Sequence, residues 1–357
     1  MKLNRIHQFK LPTAALGADI NPAGDILLAS CFDGVYRVNP AEGQPTKIGE
    51  HESYASGVAW IDDHQHITSG YDGQIFWWHS DKKEPIRKIQ AHDFWSWDLA
   101  RSPDRKWIAS CTGQYLAGSY KYEPAGEVEP SIKIYDVADG RLHAELSLKP
   151  SVHTVSFSPD SQKLCAANLM GEVKVWDVAT KQELAAWKTD DFTSWGIIKS
   201  HCYIGGIHAS VFHPSGERVI VAGMGPMRDP MAGNGKQRWQ EYAWQEQPSR
   251  KVKETKSDQA GEGLMEALAV HPNGRWFAMG GRLRGGNWNL AIFDLESGDL
   301  LTSAKTGYRI TDATFIEATG QLLLVGTQGQ PSKLNRRGEF SDFGRVEVYD
   351  LSESDDS

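Results

Sequence analysis

Val173-Lys174-Val175-Trp176-Asp177 is a short β-branched run that ends on an aromatic residue and an Asp. Versions of it return as Ile132-Lys133-Ile134-Tyr135-Asp136, Leu290-Ala291-Ile292-Phe293-Asp294 and Val346-Glu347-Val348-Tyr349-Asp350. Working outward, each is preceded by a turn and an apolar run, and the unit repeats at a spacing of roughly 40 residues. Four short strands per copy at that period are the signature of blades packed around an axis. The reading is therefore all-β: a single seven-bladed β-propeller of four-stranded blades. Approximate blades are 12–50, 51–91, 92–150, 151–189, 190–258, 259–306 and 307–351, followed by an acidic tail, 352–357.

The copies align on the turn between their first two strands. Asn21-Pro22-Ala23-Gly24, Ser102-Pro103-Asp104, Ser158-Pro159-Asp160, His213-Pro214-Ser215-Gly216 and His271-Pro272-Asn273-Gly274 all place Pro before small or turn-forming residues. Pro fixes φ for the turn while Asp, Asn and Gly supply its tight corner. Blade two substitutes Asp62-Asp63-His64, and blade seven Ala318-Thr319-Gly320.

Composition narrows the function classes. A net charge of −8 with scattered Arg and Lys argues against nonspecific nucleic-acid binding, which needs a basic stripe. No long apolar stretch offers a membrane span, and the opening residues Met1 to His7 hold no apolar run of a secretory signal. Cys31, Cys111, Cys165 and Cys202 show no CxxC spacing, so they read as free thiols in a reducing compartment, and the expected location is cytoplasmic.

The repeat resembles the WD40 family over about residues 4–351, best in blade two, which ends Ser69-Gly70-Tyr71-Asp72-Gly73-Gln74-Ile75-Phe76-Trp77-Trp78. Blade four carries Phe157-Ser158-Pro159-Asp160 and Val175-Trp176-Asp177. The resemblance implies a structural hydrogen-bonded cluster of His51, Ser69, Asp72 and Trp78 in blade two. Blade three keeps His92 and Ser110 without the Asp, and blade four has Met170 in its place. The copies are divergent, in the manner of bacterial members. The resemblance also implies closure by the N-terminus: blade seven lacks an outer strand, which Asn4 to Leu11 would supply. It further places the long segments Gly113–Ser131, Thr189–Ile207, Met224–Arg238 and Gln328–Gly344 on one face, as irregular loops. Insertions on one face of a repeat fold mark the binding face.

Two rows of that face carry the candidate chemistry. Six positions before the turn Pro, or its equivalent, stand Leu16, Ser56, Trp97, His153, His208, Glu266 and Thr311. His153, His208 and Glu266 fall on consecutive blades and would suit a divalent metal with open positions; the plainer reading is a solvated polar channel mouth. The second row and the strand ends add Phe32, Tyr54, Tyr71, Trp95, Met170, Arg282 and Arg309. Aromatic and Arg side chains are the material of interface hot spots. Asp98 and Asp312, one position further on, read as structural. No Gly-x-Ser-x-Gly or His-Glu-x-x-His occurs, and His201-Cys202 matches no zinc spacing.

The leading expectation is a non-enzymatic scaffold that binds a protein or peptide on the loop-rich face, without cofactor. Partner-binding residues would be Phe32, Tyr54, Tyr71, Trp95, Trp97, Met170, Arg282 and Arg309. One rival is a hydrolase or lyase with an axial metal at His153, His208 and Glu266. Another is a structural subunit of a larger assembly.

Overall fold

The computed structural model describes residues 1–113, 115–116, 123–124, 128–149, 151–195, 203–229, 234–256, 258–259, 261–283, 286–336, 338 and 340–352. His201, Cys202, Met231 and the acidic tail beyond 352 lie outside these residues. Each turn noted above reverses the chain between antiparallel strands, so the repeat folds sheet by sheet.

The chain opens with β1 (Lys2–Leu11), whose partner comes last. Blade one is β2 (Ala15–Ile20), β3 (Leu27–Cys31), β4 (Gly34–Val38) and β5 (Thr46–Gly49). Blade two is β6 (Ala55–Trp60), β7 (Gln65–Gly70), β8 (Gln74–His79) and β9 (Arg87–Gln90). Blade three begins with β10 (Asp98–Arg101) and β11 (Trp107–Cys111). A separate small hairpin follows, β12 (Tyr115–Leu116) with β13 (Glu123–Pro124), before β14 (Ile132–Asp136) and β15 (Leu142–Leu146) complete the blade. Blade four is β16 (Val152–Phe157), β17 (Lys163–Asn168), β18 (Glu172–Asp177) and β19 (Glu183–Lys188).

In blade five a short β20 (Thr193–Trp195) pairs with the start of β21 (Tyr203–Phe212), which continues into β22 (Arg218–Asp229), β23 (Asn234–Ala243) and β24 (Arg250–Glu254). Blade six is β25 (Gly263–Val270), β26 (Trp276–Leu283), β27 (Leu290–Asp294) and β28 (Leu300–Ala304). Blade seven is β29 (Arg309–Phe315), β30 (Leu322–Thr327) and β31 (Gly344–Ser352), with β1 as its outer strand. The fold is a seven-bladed β-propeller, all-β as the repeat predicts.

Closure by the N-terminus holds. Leu3 pairs with Leu351 and Phe9 with Val346, with a bulge at Ile6 between Arg5 and His7. Leu11 is fully buried at the end of the strand, and the Arg5 guanidinium donates to Glu347 at 2.7 Å. Three of the four segments expected as irregular loops carry strand: Gly113–Ser131 holds the β12–β13 hairpin, and within Thr189–Ile207 Thr193 pairs with Gly205. The segment Met224–Arg238 is not an irregular loop: β22 and β23 run on past the blade as a ribbon, with Met224 opposite Gln237 and Met227 opposite Gly235. Added residues prolong an existing ladder there, which satisfies their backbone groups without a new element.

The chain divides into two compact units: residues 1–88, 267–282 and 288–357, and residues 89–266 with 283–287. The first holds blades one, two and seven with most of six; the second holds blades three to five. In the first, Leu27, Ala29, Val325 and Val346 are fully buried in one cluster. In the second, Ile132, Ile134, Val152 and Leu164 do the same. Strands buried on both faces read as continuous apolar runs, as Leu27 to Cys31 do.

Neighbouring blades within each unit are joined by a recurring device. Asp98 Oδ2 accepts the Val155 N–H at 2.9 Å, and Asp312 Oδ2 accepts the Ala18 N–H at 2.9 Å. The other oxygen of each accepts the N–H of the following residue, Leu99 or Ala313, at 2.8 Å. Asp19 bonds the Trp60 N–H in the same manner at 2.8 Å, and Thr154 accepts the Ser210 N–H at 3.1 Å. First strands carry no ladder on their inner edge, so a short acceptor there pairs an N–H that would otherwise be orphaned. Asp98 and Asp312 thus have the structural role their position implies.

Candidate functional site

Blade two contains the polar cluster that the WD40 resemblance implies, with one member exchanged. His51 Nδ1 lies 3.0 Å from Asp72 Oδ2, and its Nε2 lies 2.8 Å from Thr68 Oγ1. The Trp78 indole donates to the same Thr68 hydroxyl at 2.9 Å. Donation from His51 Nδ1 to Asp72 and from the Thr68 hydroxyl to Nε2, with the Trp78 indole donating to Thr68, satisfies every bond in this chain. Burial raises the Asp72 pKa, but bonds from His51 and the N–H groups of Gln74 and Glu52 outweigh it and hold the carboxyl low.

Ser69, expected in this cluster, is not in it: its hydroxyl lies 3.1 Å from Ser56. The reason is strand alternation. His66 pairs with Trp78 and Thr68 with Phe76, so Thr68 shares the face of Trp78 and Ser69 points to the other.

Blade three rebuilds the cluster with a carboxylate from elsewhere. His92 Nε2 lies 2.9 Å from Ser110 Oγ, and His92 Nδ1 lies 3.5 Å from Glu129 Oε2. Glu129 accepts the Asp93 N–H at 2.8 Å, as Asp72 accepts the Glu52 N–H at 3.0 Å. Lys133 adds an ion pair at 2.9 Å. Burial lowers the His92 pKa against the opposing pull of Glu129. Burial alone would raise that of Glu129; the nearby His92 and the hydrogen bonds from Lys133 and the Asp93 N–H bring it down to about 2.

The candidate interface residues form one group in each unit. In the first unit, Phe32 and Tyr54 stack with ring centroids 4.1 Å apart and planes at 7°. Tyr71 lies 5.8 Å from Tyr54, and Phe343 packs edge-on to Phe32 at 6.5 Å. Each emerges at a strand end: Phe32 after β3, Tyr54 before β6, Tyr71 after β7. The Tyr71 N–H donates to the Tyr54 carbonyl at 2.8 Å, which fixes the two rings side by side. Tyr54 is 42% exposed, while Phe32 and Tyr71 are half-buried.

In the second unit, Trp95 is 41% exposed, stacked on Phe94 at 5.0 Å and edge-on to Trp97 at 5.4 Å. The Trp97 indole donates to the Gly113 carbonyl at 2.8 Å. Its ring stacks on His153 at 5.1 Å, and His153 lies 4.8 Å from His208. The aligned row Trp97, His153, His208 therefore does pass from blade to blade. Burial, then the neighbouring His208, holds the His153 pKa well below the usual range. Its Nε2 is buried without a hydrogen-bond partner.

Glu266, the third residue of the metal reading, is half-buried in the same unit. Among the described residues, no group of three or more His, Cys, Asp or Glu side chains is arranged to hold a metal ion. Met170 is half-buried at a cleft of about 690 Å³ beside Leu148 and Trp187. Arg282 and Arg309 are exposed, both in the first unit. Cys31, Cys111 and Cys165 are buried and unpaired, and burial raises their thiol pKa values, so none is primed as a nucleophile.

Sequence reasoning missed Thr68 and Glu129. Thr68 was legible from alternation with Trp78; Glu129 comes from an insertion and had no spacing to mark it.

Residues 43–79 and 83–117 match the WD40 family model, described as WD domain, G-beta repeat. The first match joins β5 to β6, β7 and β8; the second joins β9 to β10 and β11. The sequence repeat is thus offset from the sheet by one strand, the same offset that leaves blade seven to be finished by β1. Comparison with curated proteins finds no match. The chain is a seven-bladed β-propeller in which residues 43–79 and 83–117 are similar to WD40 repeats, and the remaining blades have the same strand order. Among the described residues no helix is long and apolar enough to cross a membrane.

Proposed function

We propose that this chain is a scaffold that recognises a protein or peptide partner through its exposed aromatic side chains. The observation that carries the reading is the exposure of Tyr54 and Trp95, each stacked on a second ring that holds it in place. A large ring held rigid in solvent loses little conformational freedom on binding and brings much area, which is why such residues dominate interfaces. The WD40 match supports the same reading, since propellers of this kind commonly bind proteins. Exposed Arg282 and Arg309 would set polarity at the rim. The scaffold reading needs no cofactor, and it goes with a cytoplasmic location.

Affinity capture with Tyr54→Ala and Trp95→Ala proteins beside the wild type tests the proposal. Captured partners should fall away in the variants while the melting temperature holds.

A metal-dependent hydrolase or lyase is the second reading. It draws on the unpaired Nε2 of His153, 4.8 Å ring to ring from His208. Elemental analysis of the wild type and the His153→Ala/His208→Ala protein tests it. Stoichiometric metal lost in the variant would favour the enzyme.

A further inference from the structure

A cavity of about 410 Å³ opens between blades one and two in the first unit. It sits where β3 and β7 begin and β6 and β8 end. These are the opposite strand ends from those that carry Phe32, Tyr54 and Tyr71. Leu28, Ile48, Trp60 and Trp78 give it apolar walls.

Two of its lining side chains hold unused hydrogen-bonding groups. His66 is 5% exposed and Trp60 4%. Both ring nitrogens of His66 and the Nε1 of Trp60 are buried with no partner. The Trp60 backbone N–H is already bonded to Asp19, so the indole alone is left over. These nitrogens are closed off by the packing around them, so what the cavity presents at this wall is the ring surface of Trp60 and His66. The rings are not misplaced: Trp60 and His66 face each other across the β6–β7 ladder, and His66 lies parallel to Trp78 at 6.1 Å.

The rim is cationic. Arg37, Lys82 and Lys83 line the opening and make no ion pair among the described residues, while Lys47 is held by Glu50 at 2.8 Å. Among the described residues no carboxylate lines the cavity. In a chain of net charge −8 this is a local reversal of sign, and a concave basic site concentrates anions. Burial, with Arg37 as the second cause, lowers the His66 pKa to about 4, so near neutral pH the ring carries no charge to repel the cationic rim. The volume falls within the range of about 300–1,000 Å³ typical of small-molecule sites.

We propose that this cavity binds a small organic anion. Its charged group meets Arg37, Lys82 and Lys83, and its apolar body lies on the rings of Trp60, His66 and Trp78. The site is separate from the partner surface proposed above, so either can fail without the other.

The test is NMR of the full chain labelled at His and Trp, with the Trp60 indole signal assigned by Trp60→Phe. Phenyl phosphate, benzoate and inorganic phosphate are titrated separately. Phenyl phosphate or benzoate should shift the Trp60 signal saturably at about millimolar concentration or below. The His66 pKa should rise by about one unit or more, because a bound anion favours the imidazolium. Both effects should vanish in Arg37→Ala/Lys83→Ala, whose exposed side chains can be removed without disturbing the core. A response to benzoate alone would assign a carboxylate, and to phenyl phosphate alone a phosphate. The proposal is overturned if neither organic anion gives a saturable response, if the rim variant responds like wild type, or if inorganic phosphate binds as tightly as phenyl phosphate.

Discussion

Glu129 stands to His92 in blade three as Asp72 stands to His51 in blade two, and both carboxylates accept the N–H of the residue that follows the His. The two acids come from different places: Asp72 from the turn before β8, Glu129 from the long insertion before β14. One polar geometry has been rebuilt with a longer acid reached along another path.

A pH dependence follows from Glu129. Its folded pKa of about 2 lies below its ordinary 4.5, so the stability it contributes is present above pH 4.5 and is lost as the pH falls from there toward about 2. Glu129→Gln should lower the melting temperature at neutral pH, with the gap to wild type closing as the pH drops through that window. Thermal melts across the acid range check this; a constant gap at every pH would remove Glu129 from the cluster.

Thr68 should matter more than Ser69. Thr68→Val strands the His51 Nε2 and the Trp78 indole N–H at once, with an expected cost of about 1–3 kcal/mol. Ser69→Ala removes one bond to Ser56 and should cost about 0.5–1.5 kcal/mol. Urea unfolding of the two variants orders them, and a larger loss for Ser69→Ala would restore the alignment by sequence position.

That pair shows what the sequence exposed and what it did not. The repeat, the turns and the completing strand were legible because they rest on local chemistry: β-branched runs, Pro-containing corners and a blade short of one strand. The rim aromatics Phe32, Tyr54, Trp95 and Trp97 were legible because the repeat aligns them to strand ends. Ser69 was taken for Thr68 because a shift of one residue along a strand changes the face. The ribbon of β22 and β23 was misread because its Gly and Pro content resembles a loop. The cavity at Trp60 and His66 was invisible, since its walls come from Leu28 to Lys83 across two blades and no motif links them.

Loss of the first strand should open blade seven. Deleting residues 1–11 removes buried Leu11, the Arg5–Glu347 ion pair and the whole ladder to β31. The expected result is a markedly lower melting temperature and concentration-dependent association through the bare edge. Light scattering and calorimetry on the truncated chain decide it, and a monomer that melts like wild type would contradict the closure.

An inter-blade bond gives a further check. Asp98→Ala leaves the Val155 N–H without its acceptor and should cost about 1–3 kcal/mol. Amide exchange at Val155 should quicken, while the matching Ala18 amide, held by Asp312, keeps its protection. Equal protection at Val155 in both proteins would show that Asp98 is not the link.

The central claim is that exposed aromatics at the strand ends take a protein partner. Site-specific photocrosslinking tests it most directly, with benzoylphenylalanine placed in turn at Tyr54, at Trp95 and, as control, at Leu142, which is 44% exposed on the outer strand of blade three. Irradiated in native lysate, the proteins labelled at positions 54 and 95 should each yield a discrete adduct with a defined protein, and the one labelled at 142 should yield none. No adduct at 54 or 95, or the same adducts at 142, would contradict the account.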